Sequence, residues 1–406
     1  MQSFCKNLTI LLLPIGIAIA TNYANATNNQ KQLVEEAWQI VDRQFIDITA
    51  NNSRWMEIRR EFLSKDYQDN NTARDAIRTM LGKLNDPETR LVDSQQLAII
   101  QKEGNGQSVG VGLIDFSVET NEKTKELQVV TALADTPAAR AGIIPKDIIE
   151  AIDGVSTKQL SHDEAMAKLR GQAGTQVTLT IRRGDRTFNV PLKREAISID
   201  PVETSVRQKM GKKIGYIALR QFTPDAAMQI RSAIQNLSNQ NVEGFVLDLR
   251  NNPGGLLRVG NEIASFFLNK GDLIGIFQTR AGNEEIKASG TKLTNKPLVI
   301  LVNSGTASAG EILAGALQNN GRAVVVGNST FGRGRVHSTE ELSDKSVMLF
   351  AIGRFLSPTG RNIDREGIQP NYALETSTTQ LQSHNSLYEK AIAVLIWNID
   401  RTARLG

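Results

Sequence analysis

The chain has 406 residues, of which 40% are apolar and 22% charged, and a formal net charge of +4. That length accommodates two or three domains with true cores, and the composition is ordinary for a globular protein. So thin a positive charge argues against nucleic acid or an anionic membrane as a partner. The three histidines, His162, His337 and His384, are too scattered to suggest a metal site.

The first 26 residues differ from the rest. Leu8 to Ala20 is an apolar run too short to span a bilayer as a mature helix, and Ala24-Asn25-Ala26 supplies a small-x-small pattern after it. We expect a secretory signal over 1–26, cleaved near Thr27, and hence an exported protein. Left uncleaved, this segment would be the chain's one membrane contact. Cleavage removes Cys5, the only cysteine, so the mature chain has no disulfide and depends on its cores.

Residues 27–103 are helical in pattern. Leu33, Ala37, Ile40, Val41 and Phe45 define one amphipathic helix, and Trp55, Ile58 and Phe62 a second. Ala76, Ile77, Met80, Leu81 and Leu84 define a third, ended by Asn85-Asp86-Pro87. No chemistry is visible in this lead. Residues 104–194 are β-rich. They hold Val109-Gly110-Val111-Gly112-Leu113, the run Asp135 to Ile143, the strand leading to Asp153-Gly154, a helix from Ser161 to Leu169, Arg170-Gly171, and a strand at Val177 to Ile181. The order and spacing of these segments resemble a PDZ domain of the bacterial, permuted type. The resemblance implies that amides from Val109 to Leu113 capture a C-terminal carboxylate while the peptide adds as a strand. Lys146 stands where such domains often carry glycine, which we read as turn variation.

Residues 195–375 alternate strands and helices, which predicts an α/β core built on a largely parallel sheet. Ile214 to Leu219 is a strand, Asp225 to Leu237 a helix, and Gly244 to Arg250 a buried strand running into Asn251-Asn252-Pro253-Gly254-Gly255. Leu298 to Val302 is a further buried strand. A small polar turn then leads into a helix beginning near Ala307 or Ser308 and ending at Gly321; Ala323 to Val326 and Val347 to Phe355 are strands. A polar linker is expected from 372 to 383 and a terminal helix from His384 to Trp397, giving a last segment of 376–406. The stretch is neither a phosphate loop, which needs a lysine after its last glycine, nor a G-x-S-x-G elbow. Ser308 at a helix start, where amides and the dipole favour negative charge, suits acyl transfer.

The lead with Trp38, Asp86-Pro87 and Thr89-Arg90, the PDZ-like segment, Asp248 to Gly255, and Ala307-Ser308-Ala309 together resemble the C-terminal processing (tail-specific) serine peptidases, in particular their cyanobacterial and plastid type. The resemblance implies a multidomain α+β protein: a helical lead, a PDZ domain and a ClpP/crotonase-like core of sheets and helices. It implies a Ser/Lys dyad acting near substrate C-termini, no cofactor and no metal, protein partners with free C-terminal tails, and a home in the periplasm or thylakoid lumen. Ser308 matches the nucleophile, and the amides of Ala309 and of the Gly254-Gly255 turn match the oxyanion hole. Arg170 matches an arginine thought to relay substrate binding to the active site; its plainer reading is a solvated charge at a helix end.

The departure lies twenty-five residues beyond Ser308. Thr330-Phe331-Gly332-Arg333-Gly334 has arginine where the family has its lysine, and His337 stands where the family has glutamine. Lowering a lysine from about 10.4 to about 7–8 takes roughly 3–5 kcal/mol, whereas arginine needs at least about 7 kcal/mol. Arg333 is therefore no general base. Three readings stay open: a catalytically impaired paralogue that binds tails, a peptidase rewired through His337, and a site that tolerates arginine in some other way. For the second, an extended Gly334 to His337 would put Arg333 and His337 on one face, with the guanidinium favouring a neutral imidazole. The plainer reading of His337 is a polar filler, and that of Ser308 a small residue chosen for packing.

Overall fold

The computed structural model describes residues 26–48, 53–84, 86–121, 123–373 and 380–405. The expected signal lies outside them except for Ala26, as does Asn85. The lead comprises α1 (Ala26–Gln44), α2 (Ser53–Leu63), α3 (Asn70–Leu81), β1 (Arg90–Val92) and α4 (Ser94–Gly104). The apolar stripes anticipated for the first three helices meet in one core: Val41, Phe45, Trp55, Phe62, Ile77 and Met80 are all buried. Trp38 stacks on Trp55 with centroids 6.0 Å apart and donates its indole N–H to the Trp55 carbonyl at 3.0 Å. α4 was not anticipated, because Glu103 is its only buried residue. A cap announces it instead: Asp93 accepts from the Gln96 amide while the Gln96 side chain accepts from Asp93 N–H.

The next elements are β2 (Gln107–Gly110), β3 (Val118–Thr120), β4 (Leu127–Val129), α5 (Pro137–Arg140), β5 (Ile148–Ile152), β6 (Val155–Ser156), α6 (His162–Leu169), β7 (Gln176–Arg183), β8 (Arg186–Lys193) and β9 (Glu195–Ser198). One antiparallel sheet runs in the order β3-β4-β5-β7-β8, so β3 is an edge strand, and β2 pairs with β9 in a separate ribbon. Leu113, Val129, Ile149, Met166, Leu169 and Leu179 fill the core between this sheet and α6. Lys146 holds φ at +73°, the left-handed conformation that glycine takes at no steric cost.

The remaining elements are β10 (Val202–Lys209), β11 (Lys212–Leu219), α7 (Ala226–Asn239), β12 (Gly244–Asp248), α8 (Leu257–Ser265), β13 (Leu273–Thr279), β14 (Gly282–Lys287), β15 (Leu298–Val302), α9 (Ala309–Asn319), β16 (Val324–Gly327), β17 (Arg335–Glu341), β18 (Val347–Leu356), β19 (Tyr372–Ala373) and α10 (Gln380–Leu405). The expected sheet runs β10-β11-β12-β15-β16-β19, parallel from β11 onward. The pleat divides its side chains between two cores. Phe245, Leu247, Ile300 and Val302 face α7, α8 and α9, while Tyr216, Val246, Val299 and Leu301 face Leu387, Ala391, Leu395 and Ile399 of α10.

Two expectations are corrected here. Tyr372 and Ala373 extend the sheet beside β16 where a linker was expected, and the terminal helix begins earlier, at Gln380. The core also holds a second, antiparallel sheet of β1, β18, β13 and β14, with β17 on β18. Because β1 pairs with β18, the lead is stitched onto the core, and Met348, Phe350 and Ala351 of β18 belong to the lead's own apolar cluster.

Candidate active site

Two loops leave neighbouring parallel strands and lock together. Asn251 donates its N–H to Asn303 Oδ1 at 2.9 Å, and Asn303 Nδ2 returns a bond to Asn251 Oδ1 at 2.8 Å. Thr306 Oγ1 donates to the Leu249 carbonyl at 2.8 Å, and Ala307 N–H to the Asn252 carbonyl at 2.9 Å. The turn after β15 thus enters α9 at a fixed angle. Ser308 is the residue before the helix, with φ +52° and ψ −119°, a region that favours glycine. It is half-buried, and its hydroxyl has no hydrogen-bond partner among the described residues.

The glycine turn lies directly against it. A Cβ on Gly254, whose φ is +103°, would come 2.7 Å from Ser308 Cβ, so only glycine allows this approach. Gly254 N–H is already donated to Asn252 Oδ1 at 2.8 Å. The amides of Gly255 and Ala309 have no acceptor among the described residues. Of the two glycines anticipated to aid an oxyanion, the free donor is therefore Gly255.

Sequence reasoning overlooked Glu311, which is fully buried behind the serine. Its carboxylate accepts from Ser308 N–H at 2.9 Å, Gly332 N–H at 2.7 Å, Arg333 N–H at 2.8 Å and the Thr330 hydroxyl. Burial raises its pKa, and those four donors pull the other way. The carboxylate fastens the backbone of residues 330–333 to the start of α9. Its signal was present as the Ser308-x-x-Glu311 spacing of a capping box.

Arg333 has its backbone in that frame and its side chain elsewhere. The guanidinium pairs with Glu88 of the lead and donates to the carbonyls of Phe116 at 2.7 Å and Val118 at 3.2 Å. Burial disfavours its charge, but the carboxylates of Glu88, Glu119 and Asp115 together outweigh this and raise its pKa. It is a fixed cation. His337 lies behind it, Nδ1 3.6 Å from Glu88 and Nε2 3.7 Å from Asp86. A bulge between Val336 and His337 breaks the alternation that would have aligned Arg333 with His337; the two converge on Glu88 instead. Burial alone would raise the pKa of Asp86, yet His337 and Arg335 lower it to about 2.

In the PDZ-like part, Val109 and Gly110 belong to the ribbon with β9, and Val109 is 44% exposed. The amides of Val111, Gly112 and Leu113 have no acceptor among the described residues. Gly112 has φ +90°, and a Cβ there would strike Thr136 Oγ1 at 2.0 Å. Arg170 is not a solvated helix-end charge: Nε and Nη2 reach the two oxygens of fully buried Glu103 at 2.7 and 2.9 Å. Gln221 of the core donates to the Glu103 carbonyl at 2.8 Å, so this pair sits on the seam between lead, PDZ domain and core.

The profile of peptidase family S41 matches residues 213–374, and that of the PDZ domain matches 128–183. A carboxyl-terminal-processing protease of Picosynechococcus is 37% identical over 394 residues, covering 94% of each chain. Carboxyl-terminal-processing peptidase 2, chloroplastic, of Arabidopsis thaliana is 36% identical over 92% of this chain and 76% of its own. The solved structure of a photosystem II D1 C-terminal processing protease superposes with a TM-score of 0.78 at 32% identity, covering 87% of this chain and 96% of its own. Fold and matches together define a serine-type peptidase scaffold bearing a PDZ domain. The chain belongs to peptidase family S41, among the carboxyl-terminal-processing proteases.

Proposed function

We propose that this chain is a catalytically impaired member of the family that binds the free C-terminal tails of proteins through its PDZ domain. The observation that carries this reading is the state of Arg333. A general base must give up its proton near neutral pH, and this guanidinium is held charged by Glu88 and turned toward two carbonyls of the PDZ domain. Ser308 then has nothing to take its proton. His337 is no substitute, because both ring nitrogens face carboxylates of the lead. The three unpaired amides from Val111 to Leu113 form the anion-binding turn on which tail recognition rests.

A second reading, residual hydrolysis at Ser308, is favoured by one feature: the unpaired amides of Gly255 and Ala309 still frame the serine as oxyanion donors. The leading apolar segment, and relatives from cyanobacteria and chloroplasts, support export to a periplasm or thylakoid lumen. The tail reading is checked by titrating the chain, begun at Thr27, with a peptide bearing a free C-terminus and with its C-terminal amide. The free acid should bind at least about tenfold more tightly, since a charge-assisted set of hydrogen bonds is lost on amidation. Equal affinity for both forms overturns it.

A further inference from the structure

We propose that Arg333 plugs the strand edge on which a C-terminal tail must dock, so that tail binding and the seat of Arg333 exclude one another. This rests on the tail-binding reading above. β3 ends its sheet, with β4 on one side only. The bonds to β4 use alternate residues: Val130 N–H donates to the Ser117 carbonyl at 2.9 Å, and Asn121 N–H to the Glu126 carbonyl at 2.8 Å. By the two-residue period of a strand, the carbonyl of Val118 points to the opposite, open edge. Arg333 occupies it, and the same guanidinium meets the carbonyl of Phe116, in the 3-10 turn Asp115–Ser117 leading into β3.

The open edge faces α6. The carboxylate-binding amides sit at one end, where Gly110 is bridged to Arg170 just past α6. At the other end Arg90 of the lead spans the gap, donating to Asp115 at 2.8 Å and to Asp163 of α6 at 2.9 Å. Leu113, Met166 and Leu169 are packed together in the core behind this edge, which is tied to α6 from the lead and capped along its strand from the core. A peptide adding as a strand donates its own amides to the Phe116 and Val118 carbonyls. It cannot do so while the guanidinium holds them. Glu88 anchors the plug, since its carboxylate pairs with Nη2, the nitrogen that also donates to the Val118 carbonyl.

The test uses the full chain begun at Thr27 and a fluorescein-labelled decapeptide ending in Val-Ala-Ala with a free carboxylate, its amide serving as control. Fluorescence anisotropy gives the affinity of the native chain and of Arg333→Ala, Arg333→Lys and Glu88→Gln. Removing two charge-assisted bonds that the peptide must displace should tighten binding by about ten- to a hundredfold in Arg333→Ala. Arg333→Lys should fall between that variant and the native chain, since an ammonium cannot span both carbonyls as a planar fork does. Glu88→Gln frees the anchor without touching the edge, and it too should tighten binding; it decides the matter if Arg333→Ala does not fold. Equal or weaker binding in these variants, with preference for the free acid kept, overturns the plug and leaves tail binding standing. No free-acid-dependent binding by any form overturns the tail reading and the plug with it.

Discussion

Ser308 stores backbone strain that no hydrogen bond to its hydroxyl offsets. A non-glycine residue at φ +52° and ψ −119° costs about 1–3 kcal/mol. Ser308→Gly should therefore raise stability by about 1 kcal/mol after the entropy that glycine adds to the unfolded chain. An unchanged or lower denaturation midpoint would show the turn to be relaxed. The strand, the turn and the helix around Ser308 were legible from apolar period alone; its dihedral angles were not, because serine carries no signal for a left-handed turn. Arg333 divides in the same way. That arginine cannot serve as a base follows from its chemistry. Where its side chain goes depends on Phe116 and Glu88, which are 217 and 245 residues away in sequence, so no local pattern reveals it.

Elements with one apolar face were readable, and those without were not. α4 buries only Glu103, β14 is exposed along nearly its whole length, and β17 is polar at most positions. Each is held by cross-strand pairing or a cap, neither of which leaves a hydrophobic period. β17 also carries a charge network to the lead: Arg335 lies 3.5 Å from Asp86, and His337 lies 3.7 Å from it. A carboxyl held at about 2 in the fold, against an ordinary 3.8, binds protons less readily than it does in the unfolded chain. As pH falls the unfolded chain protonates first, so the stability Asp86 contributes above about pH 5 is lost on approach to pH 2. This amounts to roughly 2 kcal/mol. His337→Gln removes part of the cause, and its stability should fall less steeply than the native chain's between pH 5 and pH 2. Parallel pH dependences would show that His337 does not act on Asp86.

At the scale of the whole molecule, lead, PDZ domain and core meet around Arg333. Glu88 comes from the lead, Phe116 and Val118 from the PDZ domain, and Arg333 from the core. Glu311 meanwhile keeps the backbone of position 333 beside Ser308. The division into a helical lead, a β-rich middle and an α/β core was legible from composition and period. The antiparallel sheet that joins lead to core was not, since β1 and β18 are brought together only by the finished fold. In the proposed reading a peptidase frame survives here without its base. The most direct measurement compares cleavage of an unfolded protein substrate by the native chain, by Arg333→Lys and by Arg333→Lys with Ser308→Ala. We expect a silent native chain and an Arg333→Lys variant faster by at least about a hundredfold, the increment a positioned base supplies, with activity lost again in the double variant. A native chain that cleaves as fast as Arg333→Lys, and stops when Ser308→Ala alone is introduced, would contradict it.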